Sequence, residues 1–135
     1  MTNQQNIAKT FLALGDSYTI GQNVPLNYNF PNQTVQLLKN QGYNFKAPEI
    51  VATTGWTTDE LWQGIRADPP QGTYDLISLL IGVNNQYRGY DVDEYREEFR
   101  FLLNKSIEYA GGNSSHVIVL SIPDWGVTRF AIGKR

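Results

Sequence analysis

The chain has 135 residues, 41% hydrophobic and 18% charged, with a net charge of −2 and no cysteine. That length supports one domain with one core, residues 1–135, rather than two. Without cysteine there are no disulfides, thiol nucleophiles or thiolate metal sites, and scattered lysines and arginines with a slight negative charge give no footing for nucleic acid or an anionic membrane.

The segment before the first element, Met1 to Lys9, is polar and lacks the apolar middle of a leader. A cytoplasmic protein is therefore the expectation, although a secreted mature form would read the same. No apolar run approaches the roughly 18 residues that a membrane span needs. Phe11-Leu12-Ala13-Leu14 is a short apolar run stopped by Gly15, as in a buried parallel strand. Pro31 opens a helix through Leu37-Leu38 that Gly42 closes. Phe45 to Thr53 reads as a weaker strand, and its Pro48 confines it to a sheet edge or a strand start. Thr57 and Glu60 have capping-box spacing and open a helix over Leu61, Trp62 and Ile65, which must end before Pro69-Pro70.

Leu76 to Ile81 is the strongest strand, apolar on both faces but for Ser78. Asp91 and Glu94 resemble a second capping box. The helix behind them sets Val92, Tyr95, Phe99, Leu102, Leu103, Ile107 and Ala110 on one stripe, and Gly111-Gly112 ends it. Val117 to Ile122 reads as a further, fully buried strand that Pro123 stops. The order β-α-β-α-β-α-β predicts a parallel three-layer α/β/α sheet. No crossover helix follows the last strand, so the domain is expected to be incomplete at its C-terminus.

Ligands of a doubly wound sheet gather at the carboxyl ends of the strands. Here those ends carry Gly15-Asp16-Ser17, Thr54-Gly55, Gly82-Val83-Asn84-Asn85 and Pro123-Asp124-Trp125. Ser17 offers a hydroxyl on a tight turn, Gly55 an unshielded backbone N–H, and Asn84 an amide donor. Such donors build an oxyanion hole for acyl transfer.

Residues 11–21, Phe-Leu-Ala-Leu-Gly-Asp-Ser-Tyr-Thr-Ile-Gly, resemble the first conserved block of the GDSL/SGNH hydrolases. The Gly55 segment resembles the second block, and Gly82-Val83-Asn84-Asn85 resembles the third, usually Gly-x-Asn-Asp. Each motif is weak alone, but three in order, each at a strand end, are specific. The resemblance implies a flavodoxin-like sheet of strand order 2-1-3-4-5, and an esterase or lipase acting on a small acyl ester without metal or cofactor. It makes Ser17 the nucleophile and one oxyanion donor, Gly55 and Asn84 the other donors, and Asp16 a brace of the turn.

Two departures stand out. Asn85 replaces the usual Asp, with little change expected beyond a lost charge, because Asn accepts the same backbone hydrogen bonds. The Asp-x-x-His motif that supplies the general base is absent from the 135 residues. His116, the only histidine, sits at the amino end of its strand, roughly 20 Å from the site, and is therefore structural. Asp124 lies at the correct end but is a weak base unless buried.

The catalytic Asp-His pair is thus expected beyond residue 135, and residues 1–135 alone are expected to be inactive, with an exposed apolar last edge. A C-terminal piece cut after Lys134-Arg135 and still bound would be the one partner besides the substrate. Gly-Asp-Ser alone could be an ordinary turn, Gly55 a turn glycine and Asn84 a helix cap; their joint placement favours the site. Tyr18, Trp56, Tyr87 and Trp125 fall beside strand ends, which suggests an aromatic-lined acyl or sugar pocket. The alternative is a non-catalytic SGNH-like module binding a carbohydrate or acyl ligand. A flavodoxin-like phosphate binder ranks last, because Asp16 would repel the phosphate.

Overall fold

The computed structural model describes residues 7–123. Four parallel strands, β1 (Phe11–Gly15), β2 (Glu49–Ala52), β3 (Leu76–Leu80) and β4 (Val117–Val119), form one sheet in the order β2-β1-β3-β4. Among the described residues five α-helices accompany them: α1 (Ser17–Ile20), α2 (Phe30–Asn40), α3 (Thr58–Ala67), α4 (Val83–Tyr87) and α5 (Val92–Tyr109). The order is the one expected for strands 1 to 4.

Handedness explains the layers. From β1 the chain steps outward to β2, then doubles back past β1 to β3 and on to β4. Right-handed crossovers put the helices of opposite steps on opposite faces. On one face, Phe11 and Ala13 pack with Val35 of α2 and with Phe45. On the other, Leu12, Leu14, Ile77 and Leu79 pack with Leu61 and Ile65 of α3 and Leu102 of α5. Most of these side chains are fully buried, each contributing on the order of 2 kcal/mol.

The punctuation in the sequence acts as read. Asn29 caps α2 by accepting the Asn32 N–H at 3.0 Å, with Pro31 in the first turn. The Thr57 N–H donates to Glu60 Oε1 at 3.0 Å. Asp91 accepts the Glu94 N–H at 3.1 Å. Pro48 stands immediately before β2, which is an edge strand.

Three expectations change. The last strand is neither long nor fully buried: β4 covers Val117–Val119, and Ile118 and Val119 are each 47% exposed. Among the described residues β4 pairs only with β3, and none of them pairs with its outer edge. Val92 opens α5 on the solvent side, 63% exposed, because the helix enters the core only from its second turn. The segment after β1, read as a tight turn, is the short helix α1, and a short helix, α4, also follows β3. Asp124 and Trp125 lie outside the described residues.

Candidate active site

The site begins with strand register. Gly15 of β1 pairs with Ala52 of β2 and with Leu80 of β3. The central strand and both neighbours therefore end at one level, about 4.8 Å apart. Ser17 follows two residues after Gly15, Gly55 three after Ala52, and Asn84 four after Leu80. One end of the sheet thus brings these three residues together, with Ser17 in the middle.

Ser17 is the first residue of α1 and half-buried. A first-turn N–H has no partner within its own helix, and that of Ser17 has no acceptor among the described residues. Asp16, fully buried, caps the helix with Oδ1, which accepts the Tyr18 N–H at 3.0 Å. Its Oδ2 is buried and unpaired among the described residues. Burial raises the Asp16 pKa above the usual carboxylate range, and the Tyr18 hydrogen bond partly opposes this. The bracing role inferred for Asp16 therefore takes the form of a helix cap.

Gly55 lies on the loop between β2 and α3 with φ of +89°, a conformation that side-chain-bearing residues rarely adopt. Its N–H also has no acceptor among the described residues. Its carbonyl accepts a hydrogen bond from Arg88 Nη2 at 2.6 Å. Next to it, the Trp56 carbonyl accepts one from Asn84 Nδ2 at 3.0 Å. That bond uses one of the two amide hydrogens of Asn84 and leaves the second for another acceptor.

Asn85, buried, reaches the first residue of α3, just past the same loop. Its Oδ1 accepts the Thr58 N–H at 3.1 Å, and its Nδ2 donates to Thr58 Oγ1 at 2.9 Å. The first bond is one that Asp would also accept. The second needs an amide, and the Thr58 hydroxyl passes its own hydrogen on to Glu98. The substitution of Asn for Asp therefore does more than remove a charge. Gly82, at φ of +138°, starts α4; a Cβ there would meet the Tyr95 hydroxyl, which donates to the Ile81 carbonyl at 3.0 Å.

The aromatic residues divide. Tyr18 and Tyr87 are 44% and 50% exposed. The ring of Trp56 turns onto α3, so close over Gly64 that a Cβ there would lie 2.2 Å from Cη2, and it packs against the core. Its backbone carbonyl is what bonds to Asn84. Trp125 lies outside the described residues. His116 sits exposed in the turn 114–116 before β4, beside Asn113, at the amino end of the sheet. A cavity of about 440 Å³ opens beside Asn85 and Gln86, bounded by Tyr90, Tyr95 and Ile122, within the size range of small-molecule sites.

Arg88 was not singled out from the sequence. The signal was its spacing: four residues after Asn84, it shares a helix face with it. Among the described residues no cluster of His, Asp and Glu is arranged to hold a metal ion, and no helix is long and apolar enough to cross a membrane.

Comparison with known proteins agrees with this architecture. AlinE4, an SGNH-hydrolase family esterase, superposes with a TM-score of 0.70 at 21% identity, over 83% of this chain and 58% of that one. TesA gives 0.71 at 16% identity, over 93% of this chain and 67% of that one. The psychrotrophic esterase EstA from Pseudoalteromonas sp. gives 0.67 at 16% identity, over 92% and 66%. At these identities the likeness is one of fold, and the chain spans 58% of the length of AlinE4. No curated protein matches it. The model of the GDSL-like lipase/acylhydrolase family matches residues 13–135, nearly the whole sequence and all three motif-bearing strand ends, and the chain belongs to that family.

Proposed function

We propose that the protein is a serine ester hydrolase in which Ser17 attacks the acyl carbon of a small ester. The carbonyl oxygen becomes an oxyanion during attack. Three donors would receive it: the N–H of Ser17, the N–H of Gly55 and the second Nδ2 hydrogen of Asn84. The observation that carries this reading is the common level at which β2, β1 and β3 end, with Asn84 bonded into the Gly55 loop. Donors held before the reaction stabilise the transition state without reorganising, and this is their catalytic value.

Serine needs a base, because its hydroxyl is a weak nucleophile. The base takes the Ser17 proton as the Oγ–C bond forms and returns it to the leaving alcohol as the ester C–O bond breaks. The Asp-x-x-His motif that would hold this base is absent from residues 1–135, so we assign it to sequence beyond them. Residues 1–135 expressed alone should then show no ester hydrolysis.

The test uses the protein with its full C-terminal sequence and a short-chain aryl ester. Ser17→Ala should abolish turnover while the fold is retained. A variant with wild-type kcat would end the esterase reading. A wild-type protein that binds acyl or sugar ligands but never turns over an ester would favour the binding module instead.

A further inference from the structure

The Gly55 loop poses a mechanical problem. A glycine at φ of +89° has no side chain to hold it, and within the loop the peptide after it is tied by one bond, from the Trp56 N–H to the Thr53 carbonyl at 3.2 Å. Yet an oxyanion donor must point in one direction before the reaction begins. That internal bond leaves the Gly55 carbonyl open to a second hold from outside the loop.

We propose that Arg88 is a positioning residue for the oxyanion donor at Gly55. The proposal rests on the esterase reading above. Arg88 Nη2 donates to the Gly55 carbonyl at 2.6 Å and lies 3.2 Å from Glu60 Oε1. Glu60 in turn accepts the Thr57 N–H at 3.0 Å, just past the same loop. Tyr90 lies against the guanidinium, its ring centroid 5.9 Å from Cζ and its hydroxyl 3.4 Å from Nη1. The guanidinium is thus held from three sides, with one N–H aimed at a loop carbonyl.

The backbone of Arg88 belongs to the same frame, since its N–H donates to the Asn84 carbonyl at 3.0 Å. One short helix therefore carries the Asn84 donor and, one turn later, the clamp on the Gly55 donor. Fixing the Gly55 carbonyl restrains ψ at Gly55 and so narrows the swing of the N–H on the preceding peptide, on the other side of Cα. Two donors from different loops are set relative to each other through α4. One nitrogen, Nη2, meets both the carbonyl and the carboxylate while Nη1 reaches the Tyr90 hydroxyl; a lysine ammonium could reproduce the first pair of contacts but not the planar group that Tyr90 holds.

The geometry separates this role from general stabilisation. The ion pair with Glu60 is over a third exposed on both sides, and such pairs contribute little to folding. Arg88→Ala should therefore leave the melting temperature within about 2 °C of wild type. It should lower kcat about tenfold with KM within about twofold, less than the loss of a donor itself, because the donor is loosened rather than removed. Arg88→Lys should recover part of kcat, and millimolar guanidinium chloride should raise kcat of Arg88→Ala but not of wild type.

The experiment measures aryl ester hydrolysis by the protein with its full C-terminal sequence, for wild type, Ser17→Ala, Arg88→Ala and Arg88→Lys. Wild-type kcat in both Arg88 variants, with Ser17→Ala inactive, would overturn the positioning role and leave the esterase reading standing. So would losses that follow the melting temperature and are not rescued by lysine or guanidinium. If Arg88→Ala does not fold, the kcat of Arg88→Lys decides. Wild-type hydrolysis no faster than that of Ser17→Ala would remove the esterase reading and this inference together.

Discussion

The turn that carries Ser17 and the loop that carries Gly55 stand side by side at one end of the sheet, and they are held in opposite ways. The Ser17 turn is held by near neighbours in sequence. Asp16 caps α1 through the Tyr18 N–H, and Asn29 donates from Nδ2 to the Ile20 carbonyl at 3.2 Å. The Gly55 loop is held from α4, 27 to 33 residues further along, by Asn84, Asn85 and Arg88. A nucleophile, the role proposed for Ser17, can be placed by a local turn, because strand β1 and its cap settle its direction. An oxyanion hole joins two loops, so part of it must be fixed across the sheet.

Apart from loss of Ser17 itself, the largest expected effect falls on the remote side. Asn84→Ala removes both the proposed oxyanion donor and the tie to the Trp56 carbonyl, and kcat should fall about 10²–10³-fold with little change in KM. Steady-state kinetics of the protein with its full C-terminal sequence check this. A change confined to KM would make Asn84 a substrate-binding group and take one wall out of the hole.

Next comes Asn85→Asp, which restores the residue usual in the family. Here it would place a carboxylate against Thr58 Oγ1, whose hydrogen is already given to Glu98. A loss of about 2–3 kcal/mol in a denaturant titration is expected. Adding Glu98→Gln should return part of it, because the Thr58 hydroxyl is then free to turn toward the new carboxylate. Wild-type stability in the single variant would mean that the amide donation carries no weight.

On the local side, Asn29→Ala removes the α2 cap and the bond to Ile20, both made by one buried side chain. It should cost about 1–2 kcal/mol. If its kcat fell as far as that of Asn84→Ala, the division between local and remote support would break down. Asp16→Asn should have the smallest effect, visible mainly in pH dependence. Burial raises the Asp16 pKa in the folded state, so its contribution to stability is present below the ordinary carboxylate value and lost as pH rises through the raised one. The amide removes that fall, and thermal melts from pH 4 to pH 7 should show a flatter profile than wild type. Parallel profiles would count against the burial effect.

Much of this protein follows from sequence alone, for reasons that are local. Buried strands between caps and glycines come from runs of apolar residues such as Phe11–Leu14, and Thr57-Glu60 and Asp91-Glu94 mark helix starts through bonds made within one turn. The placement of Ser17, Gly55 and Asn84 at strand ends follows from counting residues past those strands, together with the resemblance of the three blocks. Tertiary structure decided what no local pattern contains. It turned the Trp56 ring onto Gly64, left Ile118 and Val119 exposed on an edge, and gave Asn85 a second bond through Thr58. It also brought Arg88 onto a carbonyl 33 residues away, because side chains meet across a sheet according to strand order and crossover, and sequence spacing carries no record of that distance.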